Sequence, residues 1–160
     1  MNKIPSFEKD HNTLQPGFHF STLQQGVATF DLRFKKPNSG DFITPAALHS
    51  IEHMLATALR NGQAKDDVIY FGPMGCRTGF YLLTVNRSFH EAYDMIIAAL
   101  NEALHMDTVP GAEKRECGNY LEHDLQGAKR ECGKYLELLS SLHSEELAAE
   151  AEKFLSEEQK

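Results

Sequence analysis

The chain has 160 residues, a formal net charge of −7 and three cysteines. That length predicts one domain over residues 1–160 with a core of its own, and the acidic balance argues against nucleic acid as the main partner. No apolar run reaches membrane-spanning length, the N-terminal segment lacks the apolar core of a secretion signal, and widely spaced cysteines in odd number point to reduced thiols in the cytoplasm.

In chain order, residues 18–23 and 27–34 are rich in strand formers and are separated by Gln24-Gln25-Gly26, the pattern of a hairpin. Pro37 to Gly40 reads as a turn. Thr44-Pro45 is a helix start, with Thr as N-cap and Pro at the first helical position, and Asn61-Gly62 is a stop. Between them Leu48, Ile51, Leu55 and Leu59 recur at helical spacing. Val68 to Phe71 is a short strand, Gly72 to Cys76 a glycine-bounded turn, and residues 79–85 a further strand. Ser88 with Glu91 forms a capping box that opens a helix to about Met106. After the break at Val109-Pro110-Gly111, helix is expected from about Asp124 to Leu142 and again from Ser144. Residues 143–160 read as an acidic tail, a solvated amphipathic helix. The order predicts an α+β fold: an antiparallel sheet of about four strands with helices on one face.

The first of these helices carries His49-Ser50-Ile51-Glu52-His53. Positions i and i+4 share a helix face, so both imidazoles can reach one ion, with Glu52 beside it as a base. His49, Glu52, His53 and Ala56 form a stripe at the edge of the apolar face, where a metal site would be built. Two histidines leave a catalytic ion short of its usual three protein ligands. The third donor is open among Cys76, Cys117, Cys132 and the other histidines. Cys132 lies within a predicted helix and reads as inert; Cys117 falls in a loop; Cys76 follows a tight turn that can expose a reactive side chain. Lys114–Glu122 is nearly repeated at Lys129–Glu137, so two cysteines share one context.

Five separated blocks resolve the choice by resemblance. They are Ser6-Phe7-x-x-Asp10-His11-Asn12, Phe30-Asp31-Leu32-Arg33-Phe34 with Pro37-Asn38, His49-x-x-Glu52-His53, Pro73-Met74-Gly75-Cys76-x-Thr78-Gly79, and Cys117-Gly118 followed by His123-x-Leu125. Together, from Ile4 to about Arg130, they resemble the S-ribosylhomocysteine lyase family (LuxS), which makes the precursor of autoinducer-2. The resemblance implies that His49, His53 and Cys117 bind one divalent ion per subunit, Fe2+ in the native form with Zn2+ or Co2+ as substitutes. It implies Glu52 and Cys76 as the acid/base pair, and Ser6, His11 and Arg33 as substrate contacts. It further implies a homodimer with active sites at the subunit interface. Where many members carry Asp-Ile-Ser or Asp-Val-Ser, this chain has Tyr70-Phe71-Gly72.

The implied reaction moves a carbonyl along the ribose by proton transfers and then eliminates homocysteine thiolate. Such chemistry suits two proton shuttles of different acidity. One is a carboxylate at Glu52, the other a thiol at Cys76 whose acidity Arg77 and the metal centre would raise. Two other classes share parts of the pattern. HxxEH also opens pitrilysin-type metallopeptidases, though these are far longer and take a downstream Glu as third ligand. A metal-stabilised non-catalytic domain would need a closed four-ligand shell, with His123 as the fourth donor.

Overall fold

The computed structural model describes residues 10–159. Strands β1 (Gly17–Gln24) and β2 (Val27–Arg33) pair antiparallel, with Gln24 opposite Val27. Gln25 and Gly26 make the two-residue loop, both at positive φ (52° and 78°), the twist that suits a tight hairpin. Strand β3 (Val68–Pro73), entered through a 3-10 turn at Lys65–Asp67, and strand β4 (Gly79–Thr84) complete a four-stranded antiparallel sheet in the order β1-β2-β4-β3. β3 runs two residues beyond the expected end, because Gly72 and Pro73 continue in register with Tyr81 and Phe80.

Strand alternation sends Phe18, Phe20, Phe30, Leu32, Phe80 and Leu82 to one face, and all are buried. The helices cover that face: α1 (Pro45–Asn61), α2 (Phe89–His105), α3 (Leu125–Ser141) and α4 (Ser144–Glu158). Phe89 of α2 meets Phe18 at 5.3 Å between ring centroids, and Tyr135 of α3 stacks on Phe34 at 3.9 Å. The capping box is formed: Ser88 Oγ accepts from Glu91 N, and the Glu91 carboxylate accepts from Ser88 N at 2.8 Å. The α+β architecture is therefore the one the element order predicts.

The acidic tail differs from expectation. It is amphipathic, but α4 is docked and not merely solvated: Phe154 is 2% exposed and lies 5.3 Å from Phe20. Burying such a ring stabilises by about 2 kcal/mol. Glu150 adds a polar tie to the β1 edge, accepting from Phe20 N at 2.8 Å, with Lys153 and His19 beside it. Tyr70 is half-exposed, whereas Phe71 is buried and stacks on Phe80 at 5.2 Å.

Candidate metal centre and activated thiol

Helix α1 starts where Thr44 Oγ1 accepts from Ala47 N and Pro45 occupies the first turn. Its apolar residues Ile51, Met54, Leu55 and Ala58 are buried, which turns His49 and His53 toward the long connection between α2 and α3. His49 Nδ1 donates to Glu122 O at 3.0 Å, and His53 Nδ1 donates to Pro110 O at 2.9 Å. A carbonyl can only accept, so both rings carry their proton on Nδ1 and present a bare Nε2. Gly111, at φ 66°, lets the backbone pass His53 closely: a Cβ there would stand 3.4 Å from its Nδ1.

The connection delivers two further donors. Cys117 Sγ lies 3.4 Å from His49 Nε2, and His123 Nε2 lies 3.7 Å from Cys117 Sγ. The His123 ring stacks on His49, with centroids 4.1 Å apart and planes 26° apart. Ligand atoms of His49, His53, Cys117 and His123 all fall within 4.8 Å of one another. Imidazole nitrogens of the right tautomer with one thiolate suit a divalent transition ion, and the hydrogen-bonded Nδ1 atoms supply the outer support such ligands need. Burial, then the neighbouring His49 and His53, hold the His123 imidazole below the usual histidine value. Glu52 stands half-buried on the same helix and forms no hydrogen bond or ion pair with other described residues.

A second group lies on the sheet. Arg33 ends β2 and is 1% exposed. Its Nε and Nη2 donate to the two Asp31 oxygens at 3.1 and 2.7 Å, and its Nη1 donates to Thr78 Oγ1 at 2.7 Å. Cys76 Sγ is 3.1 Å from Thr78 Oγ1 and 3.9 Å from Arg33 Nη1. Burial pushes the Cys76 thiol up, but hydrogen bonds from Thr78 and the Arg33 charge outweigh it, so the thiol is more acidic than usual. The cation expected beside this thiol was Arg77; the structure supplies Arg33 instead. Arg77 takes a left-handed turn conformation (φ 59°), with its guanidinium 5.8 Å from the Phe42 ring centre.

Of the other expected residues, His11 sits half-buried in the turn after Asp10, and Ser6 lies outside the described residues. Cys132 is fully buried and its thiol is pushed up to about 12 by burial, as an inert helical cysteine should be. All three cysteines are free. No hydrogen bond among the described residues joins Cys76 to the histidine cluster. Thr78, quoted in one of the five blocks, and Ser50 were given no role from sequence. Their signal was position alone, two residues from a candidate thiol and between two candidate ligands.

An α+β layer thus carries a histidine and cysteine donor set that could hold a metal ion and, apart from it, an acidified thiol. Comparison with known proteins shows which family shares this layout. Residues 4–146 match the family S-ribosylhomocysteinase (LuxS). The chain is 44% identical to the S-ribosylhomocysteine lyase of Borreliella afzelii over 154 residues, covering 92% of this chain and 98% of that protein. It is 40% identical to the enzyme of the same name from Finegoldia magna, over 92% and 97%, and 40% identical to that of Clostridium acetobutylicum, over 92% and 98%. The chain belongs to the LuxS family, a family of carbon–sulfur lyases.

Proposed function

We propose that the chain is a metal-dependent lyase that converts S-ribosylhomocysteine to homocysteine and 4,5-dihydroxy-2,3-pentanedione, the precursor of autoinducer-2. The observation that carries this reading is the convergence of His49, His53 and Cys117, with both imidazole tautomers set by backbone carbonyls. These three would hold one divalent ion, Fe2+ first, with Zn2+ or Co2+ able to replace it. Bound there, the ion would polarise sugar oxygens and stabilise the negative charge that develops as the carbonyl migrates.

The residues of the chain handle the protons. Glu52, on the ligand helix, removes a proton α to the carbonyl and returns it to the adjacent carbon. Cys76 does the same on the next carbon pair, its acidity raised by Thr78 and Arg33. With the carbonyl at C3, the thioether is β to it: Glu52 takes the C4 proton, the C4=C5 double bond forms, and the C5–S bond breaks to release homocysteine as thiolate. Arg33, with Ser6 and His11, would orient the sugar and its amino-acid tail. Arg33 is already held rigid by Asp31 and Thr78, which suits a positioning role.

Homodimerisation with sites at the interface is part of the reading. Within one chain the thiol group and the metal cluster form separate hydrogen-bond networks, and Phe42, Ile69, Tyr70, Tyr120 and Leu121 expose apolar surface for a second copy. Three free thiols support a cytoplasmic location, and no described helix is long and apolar enough to cross a membrane. The test is direct. Fe2+-loaded protein is incubated with S-ribosylhomocysteine and released thiol is titrated, with an unrelated peptide as control. Thiol release with an intact peptide is expected; peptide hydrolysis without thiol release would replace the lyase reading with a peptidase.

A further inference from the structure

His123 belongs to the donor cluster but has no part in the proposed reaction. Its surroundings differ from those of the two helix histidines. They turn Nδ1 to carbonyls, whereas His123 turns Nδ1 to the Ser50 hydroxyl at 3.2 Å, a group that can give or take a proton. Ser50 is fully buried on α1, between the two ligand positions. Its oxygen accepts from Asp124 N at 2.8 Å and lies 2.9 Å from Ala46 O. The single hydroxyl proton therefore goes to Ala46 O or to His123 Nδ1.

The two placements are not equivalent. Ala46 O faces the Ser50 amide one helical turn on, so it keeps a donor if the hydroxyl turns away. With the proton on Ala46, His123 donates from Nδ1 to Ser50, and its Nε2 lone pair faces the Cys117 sulfur at 3.7 Å, two electron-rich atoms opposed. With the hydroxyl donating to a bare Nδ1, the ring carries its own proton on Nε2, and that N–H points at the sulfur. Against a thiolate this is a charge-assisted hydrogen bond. The remaining use of a bare Nε2, as a fourth ligand, would close the shell, and a lyase acting on a sugar needs one position open.

We propose that His123 is a positioning residue: Ser50 donates to its Nδ1, and its Nε2–H donates to the Cys117 thiolate, holding the sulfur at the metal centre without ligating the ion. This rests on the reading of His49, His53 and Cys117 as ligands. The test is optical. The intact protein and His123→Leu, His123→Gln and Ser50→Ala variants are loaded with Co2+ as a spectroscopic probe, and thiolate-to-cobalt charge-transfer and d–d bands are recorded. A hydrogen bond withdraws electron density from sulfur, so His123→Leu should move the charge-transfer band to longer wavelength. Its d–d bands should stay those of the intact protein, and Co2+ affinity should fall about 10- to 100-fold. His123→Gln, which keeps a donor at that reach, should restore the band, and Ser50→Ala should move it in the same direction as His123→Leu. Circular dichroism checks folding, and Ser50→Ala, the loss of one oxygen, carries the test if His123→Leu fails to fold. An unmoved charge-transfer band in the folded variants would overturn the proposal. So would altered d–d bands with an affinity loss far beyond 100-fold, which would make His123 a ligand. Absence of the band in the intact protein would instead strike the ligand assignment itself, and the proposed function with it.

Discussion

Arg33 is gripped through two nitrogens by Asp31 while a third reaches to 3.9 Å from the Cys76 sulfur. A buried ion pair thus fixes the charge that acidifies an exposed thiol.

Cys76 should be alkylated by iodoacetamide faster at neutral pH than an ordinary cysteine, because more of it is thiolate. Thr78→Val keeps the shape of the side chain but removes the hydroxyl at 3.1 Å from the sulfur. The rate at pH 7 should fall about three- to tenfold, and the midpoint of the rate–pH curve should rise. Mass spectrometry of the Cys76 peptide reads both, and an unchanged midpoint would show that Thr78 does not tune the thiol.

Replacing Arg33 by Met strips Asp31 of its bidentate partner in a nearly solvent-free position. Urea unfolding should show a loss of about 3–5 kcal/mol, and adding Asp31→Asn should recover part of it. A loss under about 1 kcal/mol would mean the pair is far better solvated than its burial indicates.

The proposed function assigns ligands and shuttles to different residues, and substitution separates them. His53→Ala should lose bound ion, whereas Glu52→Gln should keep it and lose turnover by about 100-fold or more. Metal content and thiol release on the same preparations check this. Intact turnover in Glu52→Gln would end its role as a base.

Glu150 ties α4 to β1. Burial alone would raise its carboxyl, but hydrogen bonds from His19, Lys153 and Phe20 N hold it at about 2 against an ordinary 4.5. The folded value is the lower one, so this contribution is complete above about pH 4.5 and is lost as pH falls toward about 2. Discounted for the solvent that reaches the site, it is about 1–2 kcal/mol. Glu150→Gln should therefore be less stable than the parent by that amount at pH 7, with the gap closing below pH 4.5. A gap constant down to pH 2 would assign it to packing.

The helices were legible because their caps and apolar stripes are local: Thr44-Pro45, and Ser88 with Glu91, mark starts that the structure keeps. The repeated segment does not decide its own fold: its copies were told apart, Cys132 in a helix and Cys117 in a loop, only by the flanking Asp124 cap and Pro110-Gly111 break. Lys129–Glu137 lies in α3, behind the Asp124 cap, with Cys132 and Tyr135 buried. Lys114–Glu122, after the Pro110-Gly111 break, runs through turns and leaves Leu121 79% exposed. Near-identical residues thus yield a core helix in one place and a donor loop in the other, decided by what each can pack against. The partner of Cys76 was misread for the same reason: Arg77 is adjacent in sequence, but Arg33 is brought there by the pairing of β2 with β4. His123 was visible as a possible fourth donor, and the fold brings it into the cluster.

Gly79 stands opposite Arg33 in that pairing, and a Cβ on it would fall 2.2 Å from Leu32 O and 3.2 Å from Arg33 Cα. Any side chain there would wedge the two strands apart at the point from which the guanidinium is aimed. The tolerance of the thiol's electrostatic setting is therefore narrower than a methyl group, and it is guarded by a residue with no functional group.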